Sequence, residues 1–127
     1  MKIIRKGEAL HVDKPEGTKV DYYLRKEYEV HYNEQVPDST QTWHHHEHIS
    51  ETLFIIEGEL TAKWKNGDLI ESQVVSNGDL IETENTPHTF VNHTNKIVKF
   101  IVIKQVLSGE DKVELLKTDK VIDEPQK

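Results

Sequence analysis

The feature of this sequence that most constrains its fold is an alternation of apolar and polar residues that runs directly into a tight-turn signal. Apolar residues occupy every second position from Leu60 to Trp64, which is typical of a strand with one buried and one solvated face. Asn66-Gly67 follows, and this pair favours the positive backbone angles of a hairpin turn. The segment Gly58 to Lys65 is therefore predicted to fold back onto Leu69 to Val75.

Other parts of the chain show the same character. Segments rich in β-branched and aromatic residues, which favour strands, are separated by turn signals such as Ser76-Asn77-Gly78-Asp79. Strands are expected at Val20 to Tyr32, Leu80 to Thr83, Thr89 to Asn92 and Ile97 to Val106. Many short strands separated by turns in a chain of 127 residues predict an all-β sandwich or barrel.

The length fits one domain with its own hydrophobic core. Residues 1–127 are expected to form that single domain, with a barrel core at about residues 20–107 and a C-terminal strand or extended tail at 108–127. Within the tail, Val113 to Ile122 is compatible with a last strand or a short helix, because its apolar residues are paired rather than alternating.

Charge and hydropathy exclude two kinds of partner. The 16 Lys and Arg residues are outnumbered by 23 Asp and Glu residues, which gives a net charge of −7, so binding to nucleic acid is not expected. The longest apolar runs are far too short to span a bilayer, and the first residues do not have the pattern of a signal peptide. Since the chain also has no cysteine, a soluble, cytoplasmic protein is expected.

Two separate patches contain side chains suited to a metal ion. His44 and His46 lie two positions apart, so on a strand their imidazoles point to the same face. A second patch contains His88. Because the chain has no thiolate to offer, any metal site must be built from nitrogen and oxygen ligands.

A carboxylate can complete this set only if the chain turns. His46 and Glu51 are separated by an odd number of positions and would face opposite ways on one strand. A turn at Glu47 to Ser50 removes the problem and places Glu51 at the start of the next strand. His48 shares a face with His46 and is an alternative ligand, although a solvated turn histidine is the simpler interpretation. Asn92 is expected to form hydrogen bonds either behind a metal ligand or at a strand end, rather than to be a ligand itself.

The first patch resembles a known motif. Four residues separate His46 from Glu51, and six more separate Glu51 from Gly58. This spacing is similar to the first motif of the cupin superfamily. The stretch from Gly78-Asp79 through Pro87-His88 to Asn92 resembles the second motif, although it is one residue shorter than the family pattern.

The resemblance implies a double-stranded β-helix, or jelly-roll, cupin barrel. It also implies that a divalent transition metal, one of Mn, Fe, Ni, Co, Cu or Zn, is held by His44, His46, Glu51 and His88. Small cupins of this kind are commonly homodimers, and the tyrosine-rich segment Val20 to Tyr32 is a candidate for contact between subunits.

Two functions are compatible with such a barrel, because one fold supports many activities. The first is a metal-dependent enzyme acting on a small oxygen-rich metabolite, of dioxygenase, isomerase or lyase type. The alternative is a non-catalytic cupin that binds a sugar or another small molecule and uses the metal structurally. The spacing of the sequence marks no general acid or base outside the ligand set.

Overall fold

The computed structural model describes residues 1–106 and 118–123. Within these ranges the chain forms a short 3₁₀ helix at Lys6–Glu8 and twelve strands. The strands are β1 Leu10–Asp13, β2 Thr18–Leu24, β3 Tyr28–Gln35, β4 Ser39–Thr40, β5 His44–His46, β6 Ile49–Glu57, β7 Glu59–Asn66, β8 Leu69–Ser76, β9 Leu80–Glu82, β10 His88–Asn92, β11 Val98–Val106 and β12 Lys120–Ile122.

These strands form two sheets whose pairings are antiparallel. The first sheet has the order β1-β2-β3-β11-β6-β9, and the second has the order β12-β5-β10-β7-β8, with β4 pairing to β10. Strands that follow each other in the chain repeatedly fall in different sheets, as in β5 and β6 or β9 and β10. The expected all-β jelly-roll barrel is confirmed.

The strongest local prediction is confirmed and a weaker one is wrong. β7 pairs with β8 from Glu59–Ser76 to Asn66–Leu69, so the hairpin closes at the Asn-Gly turn as expected. The segment Val20 to Tyr32 is not one strand. It forms most of a second hairpin, in which β2 and β3 pair and the turn at residues 25–27 reverses the chain.

A short strand lies near the C-terminal end of the described residues. Lys120–Ile122 pairs with His44–His46 at the edge of the second sheet. The rest of the expected tail at 108–127, including most of the segment Val113 to Ile122, lies outside the described residues. The division of the chain into a single domain stays a prediction.

The hydrophobic core lies between the two sheets. Alternate residues of β6 and β11 face inward and meet the inward residues of β7 and β10. The buried cluster contains Leu53, Ile55, Leu60, Ala62, Phe90, Val98, Phe100 and Val102. Burial of these apolar side chains holds the two sheets together.

Buried amides hold the connection between β3 and β4 against β10. Asn92, at the end of β10, donates through Nδ2 to the carbonyls of Gln35 and Val36 at 3.0 and 3.1 Å. Gln35 in turn donates through Nε2 to the carbonyls of Ser39 and Phe90. Of the two roles expected for Asn92, hydrogen bonding at a strand end is the one observed, and the network ties the connection between β3 and β4 to β10.

Among the described residues, no helix is long and apolar enough to cross a bilayer. The expected cytoplasmic location stays a prediction.

Gly58 is a position at which the barrel depends on the absence of a side chain. It has φ of +102°, and an added Cβ would lie 3.0 Å from Cγ2 of Val98 and 3.3 Å from its Cα. We expect Gly58→Ala to lower the free energy of unfolding by about 1–3 kcal/mol, measured by urea denaturation. Gly7→Ala is the control, since nothing lies within 4 Å of that Cβ, and equal stability of the two variants would contradict the steric argument.

Candidate metal centre

β5 points two histidines into the barrel. His44 and His46 are 6% and 2% exposed, whereas His45 between them faces outward and contacts Asp123. β5 is held on both sides, because His44 is the backbone partner of His88 in β10 and His46 is the partner of Lys120 in β12. The expected same-face arrangement of the two imidazoles is confirmed.

Glu51 reaches the same space from the opposite sheet. The chain turns at residues 47–48 and continues as β6, in which Glu51, Leu53 and Ile55 face the interior. The carboxylate is therefore buried above an apolar floor, and Glu51 is only 7% exposed. On one continuous strand His46 and Glu51 would face opposite ways, so both can face the interior only because the chain turns between them.

His88 closes the cluster from β10. It pairs through its backbone with His44 on one side and with Trp64 on the other. Its ring centroid is 4.6 Å from that of His44. The two sequence patches thus meet through the strand pairing of the second sheet.

The imidazoles converge on one carboxylate. Nε2 of His88 is 2.9 Å from Oε1 of Glu51, and Nε2 of His44 is 3.7 Å from the same oxygen. Nε2 of His46 is 3.5 Å from Oε2. Ligand atoms of His44, His46 and Glu51 all lie within 4.8 Å of one another, a spacing that could hold a metal ion.

Backbone carbonyls orient two of the three rings. Nδ1 of His44 contacts the carbonyl of Thr42 at 2.8 Å, and Nδ1 of His88 contacts the carbonyl of Thr86 at 2.6 Å. A carbonyl can only accept, so each Nδ1 carries the proton. Nε2 of each ring is therefore the nitrogen that faces the centre, and it would offer its lone pair to a bound metal ion.

His46 gives the most direct indication that the cluster fits a metal. Both of its ring nitrogens are buried, and neither has a hydrogen-bond partner among the residues that the structure describes. Leaving buried polar atoms unpaired costs free energy. A cation among these nitrogens and carboxylate oxygens would give Nε2 a partner.

The protonation states of the cluster also suit a cation. Burial alone would raise the pKa of Glu51, but the three surrounding imidazoles outweigh burial and hold this pKa well below its usual range. Burial lowers the pKa of His44, and Glu51 offsets only part of that effect. An ionised carboxylate and a neutral imidazole are the forms that bind metal.

Two charged residues beside the cluster were not found from the sequence. Lys104 of β11 is the cross-strand neighbour of Glu51, and its Nζ lies 3.8 Å from Oε2. Asp119 is buried next to the turn at 47–48 and contacts Nδ1 of His48 at 2.8 Å. His48, the alternative ligand, thus contacts Asp119, and its side chain is 57% exposed.

A cavity of about 620 Å³ adjoins the cluster. Trp64, Gln73, Val75, Ile81, His88 and Phe90 are among its lining residues. His88 therefore belongs both to the cluster and to the cavity wall. The volume is in the range of pockets that hold small molecules.

Comparison with known proteins agrees with this architecture. A family model described as a cupin domain matches residues 30–104, which include all four residues of the cluster. No curated protein matches the chain by sequence.

Solved structures share the fold at low sequence identity. CapF, a capsular polysaccharide assembling protein from Staphylococcus aureus, superposes with a TM-score of 0.74 at 16% identity, over 92% of this chain and 34% of CapF. A cupin-superfamily sugar phosphate isomerase from Silicibacter pomeroyi has a TM-score of 0.63 at 18% identity, over 76% of this chain and 69% of the isomerase. The iron(II) form of HppE gives 0.67 at 17% identity, over 82% and 60% of the two chains. This chain spans about a third of the length of CapF.

Lys104 should stabilise the metal-free cluster. We expect Lys104→Met to lower the free energy of unfolding of the metal-free protein by about 1–2 kcal/mol, because the buried Glu51 loses a cation while it keeps its imidazoles. Lys99→Met is the matched control on the same strand, since Lys99 pairs with the exposed Glu57 at 3.5 Å and should change stability by less than about 0.5 kcal/mol. Equal effects in urea denaturation would contradict a special role for Lys104.

Proposed function

We propose that this chain, which belongs to the cupin domain family, is a metal-dependent enzyme that acts on a small oxygen-rich metabolite. The observation that carries the proposal is the convergence of three buried imidazoles on the carboxylate of Glu51 beside a cavity. A reaction of dioxygenase, isomerase or lyase type is compatible with this arrangement.

His44, His46, Glu51 and His88 are proposed as the ligands. Their nitrogen and oxygen donors suit Mn, Fe, Ni, Co, Cu or Zn, and the chain has no thiolate to favour one of them. When bound, such an ion would act as a Lewis acid toward substrate oxygen or, for iron, would react with dioxygen. HppE, which shares the fold at 17% identity, has been solved in an iron(II) form, and the likeness to it concerns the fold alone.

The chain's own residues would bind and orient the substrate. Three neutral imidazoles and one carboxylate around a divalent ion leave a charge of about +1 and one or two open positions, which favours chelating oxygen groups. The cavity wall at Trp64 and Phe90 offers aromatic surface, and Gln73 offers an amide beside it. The cavity would thus hold the substrate against the side of the cluster that His88 occupies.

One observation favours the alternative, a non-catalytic cupin that binds a small molecule. The lining residues Asp79, Glu82 and Glu84 are exposed. Strand alternation turns Lys63 and Lys65 away from the face that carries Trp64. Among the described lining residues, His88 is the one titratable group that is buried, and it is already a proposed ligand. A lining without a second buried titratable group favours binding over acid–base catalysis.

Metal content tests the proposal. We expect near-stoichiometric transition metal in untagged protein purified without added metal, and none in a His44→Ala/His46→Ala double variant, because two of four ligands are lost. His88→Ala should also lose tight binding while its circular dichroism spectrum is unchanged, since the apolar core does not include this residue. Elemental analysis and calorimetric titration of the chelator-treated proteins make both measurements.

His93→Ala provides the control for these variants, because His93 is exposed just beyond β10. It should bind metal as the wild type does. Wild-type protein that stays metal-free after incubation with Mn, Fe, Ni and Zn would overturn the enzyme proposal. Protein loaded with Mn²⁺ then separates the two functions, because an open site enhances water-proton relaxation and a coordinatively full structural site does not.

We also propose that the chain forms a homodimer through the outer face of the sheet β1-β2-β3-β11-β6-β9. Phe54, Ile56, Leu80 and Ile103 lie on that sheet and are each 38–59% exposed. An apolar face of this kind favours contact with another protein surface. The β2–β3 hairpin, which contains the candidate segment Val20 to Tyr32, belongs to the same sheet.

The dimer proposal predicts that a charged substitution in the apolar face halves the molecular mass of the protein in solution. Phe54→Glu should convert a dimer into a monomer in size-exclusion chromatography with light scattering, because it introduces charge into the apolar face. Val74→Glu is the control, since Val74 is also exposed but lies on β8 in the other sheet. A monomeric wild type, or dissociation only with Val74→Glu, would contradict the proposed interface.

A further inference from the structure

Asp119 connects the C-terminal strand to the turn between two proposed ligands. It is 7% exposed and directly precedes β12. Its carboxylate accepts hydrogen bonds from the backbone N–H groups of Glu47, His48 and Ile49 at 3.0, 3.0 and 3.1 Å. Three successive amides of the turn are therefore satisfied by one side chain some seventy positions away in the chain.

This turn sets the separation of two ligands. It leaves β5 directly after His46 and enters β6 two residues before Glu51. Asn85 supports it from the other side, since its Nδ2 donates to the carbonyls of His46 and Ile49 at 2.6 and 3.2 Å. Asp119 thus accepts hydrogen bonds from the backbone N–H groups of this turn, and Asn85 donates hydrogen bonds to carbonyls at its two ends.

The same carboxylate faces the third imidazole. Oδ2 of Asp119 lies 3.7 Å from Nδ1 of His46, which is longer than a hydrogen bond. His44 and His88 each have a backbone carbonyl against Nδ1, whereas His46 has none among the described residues. Asp119 is the acceptor that faces the ring of His46 on the side away from Glu51.

We propose that Asp119 is a positioning residue that keeps the proton of His46 on Nδ1 and presents Nε2 to the cluster. A small rotation of the ring would close the 3.7 Å separation into a hydrogen bond. A carboxylate behind a ligand histidine fixes the tautomer and increases the basicity of the ligand nitrogen. The expected effect of Asp119 on metal affinity rests on the proposed metal-binding function. The tautomer of His46 can be measured without metal.

The first experiment uses metal-free, ¹⁵N-labelled protein at a pH where histidines are neutral. Long-range ¹H–¹⁵N spectra should show His46 with its proton on Nδ1 in the wild type. In Asp119→Asn, that preference should be reduced or reversed, because the amide can also donate. A proton on Nε2 in the wild type would overturn the proposal without any variant.

Asp123→Asn is the matched control. Asp123 also lies at the C-terminal strand and contacts a histidine, His45, at 3.0 Å through Nδ1. His45 faces outward, so this variant should alter the His45 signals and leave His46 unchanged. If Asp119→Asn leaves the tautomer of His46 unchanged while its fold is intact, Asp119 only caps the turn and the inference is wrong.

Zinc affinity gives the second readout. Competition with a chelator should show that Asp119→Asn weakens Zn²⁺ binding by roughly 10–100-fold, with less than about twofold change for Asp123→Asn. A wild type that binds no Zn²⁺ but has His46 protonated on Nδ1 would refute the metal function and leave the positioning role supported. Tight binding retained in Asp119→Asn would refute the positioning role and leave the metal function supported.

Discussion

The buried carboxylate of Glu51 is the interaction on which the arrangement of the site depends. An ionised group removed from water is costly unless charged and polar partners replace the solvent. Here the partners come from both sheets: His44, His46 and His88 from one, and Lys104 from the other. The electrostatic requirement of one side chain therefore fixes how the two sheets face each other at this end of the barrel.

Strand pairing supplies the precision that this cluster needs. β5 is only three residues long, yet it is paired with β10 on one side and with β12 on the other. The backbone pairing of His44 with His88 brings the two imidazoles together without any loop between them. Ligands on paired strands are held more rigidly than ligands on loops, and such rigidity is what a catalytic or binding centre requires.

Local sequence patterns correctly predicted the structural features that are determined by residues close together in the chain. Alternation and the Asn-Gly turn predicted the β7–β8 hairpin, and parity predicted a turn between His46 and Glu51. The interpretation of Val20 to Tyr32 as one strand was wrong, because the turn at 25–27 is made of charged residues without glycine, proline or asparagine. Lys104 and Asp119 could not be found, since their positions beside the cluster come from pairings between distant strands.

The clustered residues and much of the cavity wall come from different strands, and this affects how the sequence of such a protein can diverge. The four clustered residues come from β5, β6 and β10, whereas much of the cavity wall comes from the hairpin β7–β8 and from β9. β8 and β9 are the edge strands of their sheets and contribute none of the four clustered residues. Replacements at positions such as Gln73 or Ile81 would therefore alter which molecules fit while the clustered histidines and carboxylate stay unchanged. Descendants of this barrel could exchange one bound small molecule for another without rebuilding the cluster.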